Sequence, residues 1–271
     1  MITLSVVIPA YNERNTIAAV IEQVCRSLPQ VDKQILVVDD GSTDGTREWL
    51  VGQFGATEFS ASGLSRDADG GIGFSGDPST PAGDTFARPV RIRAVLHEQN
   101  GGKGKALRTG LSAATGDIVV IQDADLEYDP ADWTAMFALF ERGVADVVYG
   151  SRFYGKPHRV LYFYHLLGNK VITWLFNLLF NQTLSDLETC YKMFRRSLIE
   201  DVALRSADFG IEVEFGALFA AARCRIYEVA IAYYGRTYAE GKKIGWRDGM
   251  KALWYVVKFR FAPPRPRRRP A

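Results

Sequence analysis

The first 150 residues alternate short β-branched runs with helix-like stretches, and this rhythm constrains the fold more than any other feature of the chain. The runs lie at 2–8, 34–39, 90–96, 118–122 and 147–149, and the stretches between them at 15–27, 46–53, 103–114 and 130–142. Each run is mostly apolar and bounded by polar or Gly-rich residues, as strands buried on both faces require. Strands of that kind need helices on both sides of their sheet, so the pattern predicts an α/β fold with a mainly parallel central sheet. In such sheets ligands bind beyond the carboxyl ends of the strands, and the polar residues that end each run become the candidates for function.

The rest of the chain is less regular. Residues 55–89 are rich in Gly, Ser, Asp, Pro and Thr with few large apolar side chains, and are expected to form a flexible insertion that cannot offset its ordering entropy. After Ser151 two amphipathic helices are expected, at 158–181 and 241–262, with Trp174, Trp246 and Trp254 set among Lys170, Arg247, Lys251 and Lys258. Aromatic and basic residues mixed on one helix suit a membrane surface. A Pro/Arg tail, 263–271, follows the 1–240 catalytic domain and its C-terminal helix. The 33 basic and 31 acidic residues leave a formal charge of +2, which gives no support to nucleic-acid binding by the chain as a whole. Three cysteines without metal-ligand spacing suit a reducing compartment, and neither a signal peptide nor a membrane span is read. The expected location is therefore cytoplasmic, peripheral to the inner face of the membrane.

Three strand ends carry chemistry. The first, Pro9-Ala10-Tyr11-Asn12-Glu13, offers a ring that can stack on a nucleobase, and the second, Asp39-Asp40-Gly41-Ser42-Thr43-Asp44, offers carboxylates for base or ribose. Asp44 also reads as an ordinary helix cap. The third, Asp123-Ala124-Asp125, brings two carboxylates near one point, where a divalent cation, Mg²⁺ or Mn²⁺, would relieve their repulsion and hold diphosphate oxygens. The loop Asn100-Gly101-Gly102-Lys103-Gly104-Lys105 opens a helix with backbone donors and lysines that can approach phosphate.

Together with Gly150-Ser151-Arg152, this ordered set resembles family 2 glycosyltransferases, and within them the polyprenyl-phosphate (dolichyl-phosphate) hexosyltransferases. The resemblance implies a GT-A fold, a nucleotide-sugar donor such as UDP-glucose or GDP-mannose, a polyprenyl phosphate acceptor and inversion at the anomeric carbon. It implies that Pro9, Tyr11, Glu13 and Asp40 hold the nucleoside, with Lys103 and Ala124 also in the donor site. Asp123 and Asp125 would surround the metal and diphosphate. Arg152, Arg236 and Lys242 or Lys243 would meet the phosphates of donor and lipid acceptor, with Arg152 and Arg236 counted as catalytic beside the two aspartates. Glu127 stands where relatives often have Gln. The segment 186–194 matches one that lines the family's site. Many members carry membrane helices or a membrane partner, so a separate anchoring protein is a further expected partner.

A phosphate acceptor is already anionic and needs no strong base. A hydroxyl acceptor on a glycan or glycolipid would need one, and Asp186, Glu188, Glu212 and Glu214 are the candidates. Two further readings are a sugar-nucleotide pyrophosphorylase and a non-catalytic membrane or nucleic-acid adaptor.

Overall fold

The computed structural model describes residues 1–54, 56–58, 72–73, 90–242 and 245–264, with 56–58 and 72–73 described through their backbone pairing. The expected insertion at 55–89, Lys243 and most of the basic tail lie outside the described residues, apart from those two short strands.

Five expected strands form close to their predicted bounds: β1 (Leu4–Ala10), β2 (Lys33–Asp39), β5 (Val90–Leu96), β6 (Ile118–Ile121) and β7 (Val147–Ser151). Strands β3 (Ala56–Glu58) and β4 (Ile72–Gly73) fall inside the stretch expected to lack structure, and both pair with β5. Strands β8 (Lys192–Arg195) and β9 (Ile226–Ala230) complete the sheet, in the order β3-β5-β2-β1-β6-β8-β7-β9 with β4 also on β5. Pairing is parallel from β3 through β6 and between β7 and β9, while β8 runs antiparallel to both β6 and β7. The sheet is therefore mainly parallel, as expected, with two reversed strands, β8 and the two-residue β4 on β5, both too short to be announced by the sequence.

Helices α1 (Ile17–Arg26), α2 (Thr46–Phe54), α3 (Lys103–Ala113) and α4 (Trp133–Glu141) cover the sheet. Helix α3 comes close to β1 because it presents Gly110, where an added Cβ would lie 2.4 Å from Val7 Cγ1. Helix α6 (Gly210–Ala221) escaped the sequence reading because Gly210 through Phe219 are all buried, leaving no polar face to mark a helical period. Its Phe215 and Phe219 pack on Phe194 of β8, with ring centroids 5.4 and 5.3 Å away.

The two amphipathic helices form as α5 (Phe163–Phe180) and α7 (Trp246–Phe261), and α7 packs against both α5 and α6. Each buries a narrow stripe, Ile172, Thr173 and Phe176 on α5 and Ala252, Val256 and Phe259 on α7. Outside those stripes Phe163, Trp174, Trp246 and Phe261 are 67%, 63%, 76% and 81% exposed. No helix among the described residues is long and apolar enough to cross a membrane.

Candidate active site

The site lies where the sheet divides. Strand β6 pairs with β1 only as far as Val7 opposite Ile121, whereas β2 follows β1 to Ala10. Beyond Val7 one side of β1 is an edge, a place that tolerates Pro9, and the crevice that opens there is where α/β sheets bind ligands. A cavity of about 870 Å³ occupies it. Pro9, Tyr11, Glu13, Asp40, Lys103, Asp123, Ala124, Asp125, Arg152, Arg236 and Lys242 all line this cavity, so residues far apart in the chain meet as anticipated.

Local hydrogen bonds stiffen its walls. Asn12 N–H donates to Ser42 Oγ (2.9 Å) and Asn12 Oδ1 accepts from Thr43 N–H (2.8 Å), which joins the first strand-end loop to the second. Asp44 caps α2 by accepting from Thr46 N–H at 3.0 Å. Thr16 Oγ1 donates to the Ala124 carbonyl at 2.7 Å and ties the first loop to the third. Behind the third loop, buried Tyr191 donates its hydroxyl to Gln122 Oε1 at 2.7 Å.

Asp40 is spent inside the wall. Its carboxylate accepts from Gly101 N–H (3.0 Å), Gly102 N–H (2.7 Å) and His97 Nδ1 (2.7 Å), so it shapes the loop that opens α3. Gly102 has φ +88°, and a Cβ there would lie 2.5 Å from the Ala207 carbonyl oxygen, so only glycine brings that loop so near the segment that leads into α6.

The two aspartates each hold a cation of the protein. Lys103 Nζ lies 2.8 Å from Asp123 Oδ1, and Arg236 Nη2 lies 2.7 Å from Asp125 Oδ2. Arg236 also reaches Glu13 Oε2 at 3.3 Å and Glu127 Oε1 at 3.2 Å. Glu127 therefore serves to hold this arginine, and it also accepts from the Tyr233 hydroxyl at 2.7 Å. Burial, followed by the charges of Asp123 and Glu127, pushes the Asp125 carboxyl up to about 7 despite Arg236. Burial works against the charge of Lys103, but Asp123, Cys190 and Glu212 outweigh it and hold the ammonium well above the usual lysine range. Arg152 donates from Nε and Nη2 to Asp186, both at 2.7 Å, and its guanidinium lies 5.1 Å from the centre of the Tyr233 ring. Lys242 is half-buried over the Tyr162 ring, and burial lowers its ammonium below the usual lysine range.

The four candidate bases separate sharply. Asp186 is fully buried as the anchor of Arg152; burial would raise its carboxyl, but Arg152 outweighs burial and holds it below the usual range, so it is no base. Glu214 accepts from Arg205 N–H and Ser206 N–H, both at 2.8 Å, and faces away from the cavity. Glu188 and Glu212 line the cavity. Glu188 has one oxygen buried without a hydrogen-bond partner, and burial together with the Glu212 charge pushes its carboxyl from 4.5 to about 7.

A carboxyl whose folded pKa is raised binds its proton more tightly in the native state, so stability falls as pH rises through the window from 4.5 to about 7. Glu188→Gln removes that dependence. Urea unfolding at pH 8 should find the variant more stable than the wild type by about 1–3 kcal/mol, with the gap closing near pH 4.5. An equal gap at both pH values would show that Glu188 ionises normally.

Tyr233 opens the Tyr-x-x-Arg segment that ends at Arg236, but the sequence assigned it no role; the fold sets it between Arg152 and Glu127.

The crevice brings paired aspartates and facing cations into one site, and comparison with known proteins shows the family that carries it. The profile of Glycosyl transferase family 2 matches residues 5–54 and 76–203, and the chain belongs to that family. This sets aside the pyrophosphorylase reading. Among its relatives, glycosyltransferase AglJ of Haloferax volcanii is 28% identical over 229 residues, covering 84% of this chain and 62% of AglJ. Dodecaprenyl-phosphate galacturonate synthase of Rhizobium johnstonii is 27% identical over 207 residues, covering 74% of this chain and 50% of the synthase. This chain thus spans 50% to 62% of these relatives' length. Glucosyl-3-phosphoglycerate synthase of Mycobacterium tuberculosis, solved with Mn²⁺, UDP and glucosyl-3-phosphoglycerate, superposes with TM-score 0.63 at 20% identity, covering 97% of this chain and 81% of that one. The likeness shows that the fold is of the GT-A kind.

Proposed function

We propose that this chain transfers a hexose from a nucleoside diphosphate sugar to a polyprenyl phosphate at a membrane surface, with inversion. One observation carries the reading: a single cavity is lined by paired aspartates, by Arg152, Arg236 and Lys242, and by apolar residues of α5 and α7, whose outer faces expose large aromatic side chains. A wholly polar acceptor would have no use for such a wall, whereas an isoprenoid phosphate needs both cations and apolar surface. The names of the curated relatives, among them a dodecaprenyl-phosphate galacturonate synthase, support the same acceptor class.

Tyr11 and Pro9 would pack on the base, and the Lys103 ammonium at the end of the loop that Asp40 holds would face the diphosphate. The raised carboxyl of Asp125 marks a concentration of negative charge that a divalent cation would relieve, and carboxylate oxygens suit Mg²⁺ or Mn²⁺. Among the described residues no three His, Cys, Asp or Glu side chains are grouped as a metal site, so Asp123 and Asp125 would hold the ion together with donor oxygens. When bound, that ion supplies charge neutralisation at the leaving diphosphate. Lys242 and Arg236 would bring the acceptor phosphate to the anomeric carbon, while Arg152, locked on Asp186, would present a fixed positive field. The phosphate attacks as an anion, and no carboxylate has to take a proton from it.

Incubation of the full chain with labelled UDP-glucose or GDP-mannose, Mn²⁺ and a short polyprenyl phosphate should yield a lipid-linked hexose. Transfer only to hydroxyl acceptors would overturn the acceptor, and donor binding without transfer to any acceptor would favour the adaptor reading.

A further inference from the structure

Behind the cavity a row of alternating charges crosses four elements. Lys192 of β8 is fully buried, its ammonium 2.5 Å from Glu212 Oε2 of α6 and also held by the Thr189 carbonyl. Glu212 Oε1 lies 3.1 Å from Lys103 Nζ at the start of α3, and Lys103 in turn meets Asp123 beyond β6. The contacts of Lys103 are unequal. Asp123 receives a hydrogen bond, whereas Glu212 Oε1 has none and attracts the ammonium only through space.

A buried ion pair is a costly way to fill a core, since apolar side chains of similar volume are often as stable or more so. Lys192 is sealed from solvent and does not line the cavity, yet its pairing governs how strongly Glu212, which does line it, pulls on Lys103. With Lys192 in place, the charge of Glu212 is balanced and the Lys103 ammonium stays at Asp123. Without it, Glu212 would have Lys103 as its remaining cation and would draw the ammonium back from the cavity.

We propose that Lys192 and Glu212 are positioning residues that keep the Lys103 ammonium forward, where the donor diphosphate is to bind. The inference rests on the donor-site reading above and adds to it two residues that act through Lys103.

Calorimetric titration of UDP or GDP with Mn²⁺ into the full chain tests it. Lys192→Met should weaken nucleotide binding about tenfold, the scale seen when one charge of a coupled group is removed. Glu212→Gln should bind as well as the wild type or better, because it releases Lys103 toward Asp123. The double variant Lys192→Met/Glu212→Gln replaces the pair by neutral side chains of similar size and should return to within about threefold of wild type. That rescue separates positioning from support of the core, which two substitutions would damage more than one. Wild-type affinity in Lys192→Met, or a double variant that binds about tenfold more weakly than wild type, would overturn the proposal alone. If Lys192→Met does not fold, Glu212→Gln and the double variant carry the test, and weakened binding in either overturns it. Absence of UDP and GDP binding to the wild type would overturn the donor-site reading and this inference with it.

Discussion

Arg236→Met is expected to lose transferase activity and to unfold at a clearly lower temperature than the wild type. The guanidinium faces Glu13, Asp125 and Glu127 at 2.7 to 3.3 Å and so joins these three carboxylates. Methionine keeps much of the volume and leaves the carboxylates to repel one another. Removing one partner of a buried ion pair costs about 3–5 kcal/mol, and partial exposure of Arg236 reduces this to about 2–3 kcal/mol. The sign of the pH dependence follows from Asp125. Its carboxyl, already pushed up to about 7, rises further without the arginine, so the folded variant takes up protons that the unfolded chain does not. The deficit should therefore shrink as pH falls from 8 to 5, which melts at the two pH values would reveal. Mn²⁺ should also raise the melting temperature of the variant more than that of the wild type, because a cation that binds only the folded state stabilises it. A variant that melts like the wild type at pH 8 would show that the three-carboxylate cluster carries little of the fold.

Asp125→Asn should separate stability from chemistry. Asparagine matches the shape of aspartate, and Arg236 keeps Glu13 and Glu127, so the fold should survive. At pH 8 the melting temperature should equal or exceed that of the wild type, because ionising a carboxyl whose folded pKa is about 7 costs the native state what asparagine does not. Transfer should nevertheless fall by more than about 100-fold, the scale of losing one preorganised charge contact in a transition state. Nucleotide binding should lose its dependence on divalent cation, as calorimetry with and without Mn²⁺ would report. Transfer within a few-fold of wild type would remove Asp125 from the chemistry and with it the metal assignment.

Much of this site could be read before any coordinates. Strand-end residues are legible because a sheet buried on both faces admits polar side chains only where its strands stop, so Tyr11, Asp40, Asp123 and Asp125 stood out against apolar runs. The partners of those residues were not legible. Asp40 suggested a nucleoside contact, yet its oxygens are taken by Gly101, Gly102 and His97, a closure between segments about 60 residues apart that no local pattern announces. Helix α6 hid for the opposite reason: Gly210 through Phe219 are all buried, and Glu212 and Glu214 near its start stood out only as candidate bases until the fold assigned them Lys192, Lys103 and two backbone amides.

Local pattern alone determined the alternation of strand and helix, the parallel core of the sheet and the family, since each depends on side chains a few residues apart or on motifs in fixed order. Tertiary structure alone decided which charges neutralise which. Electrostatic energy depends on distance through space and on exclusion of water, and neither quantity is written along the chain. Hence Arg152 became the partner of Asp186, Arg236 the clasp of three carboxylates, and the buried Lys192 of β8 the partner of Glu212 at the cavity wall.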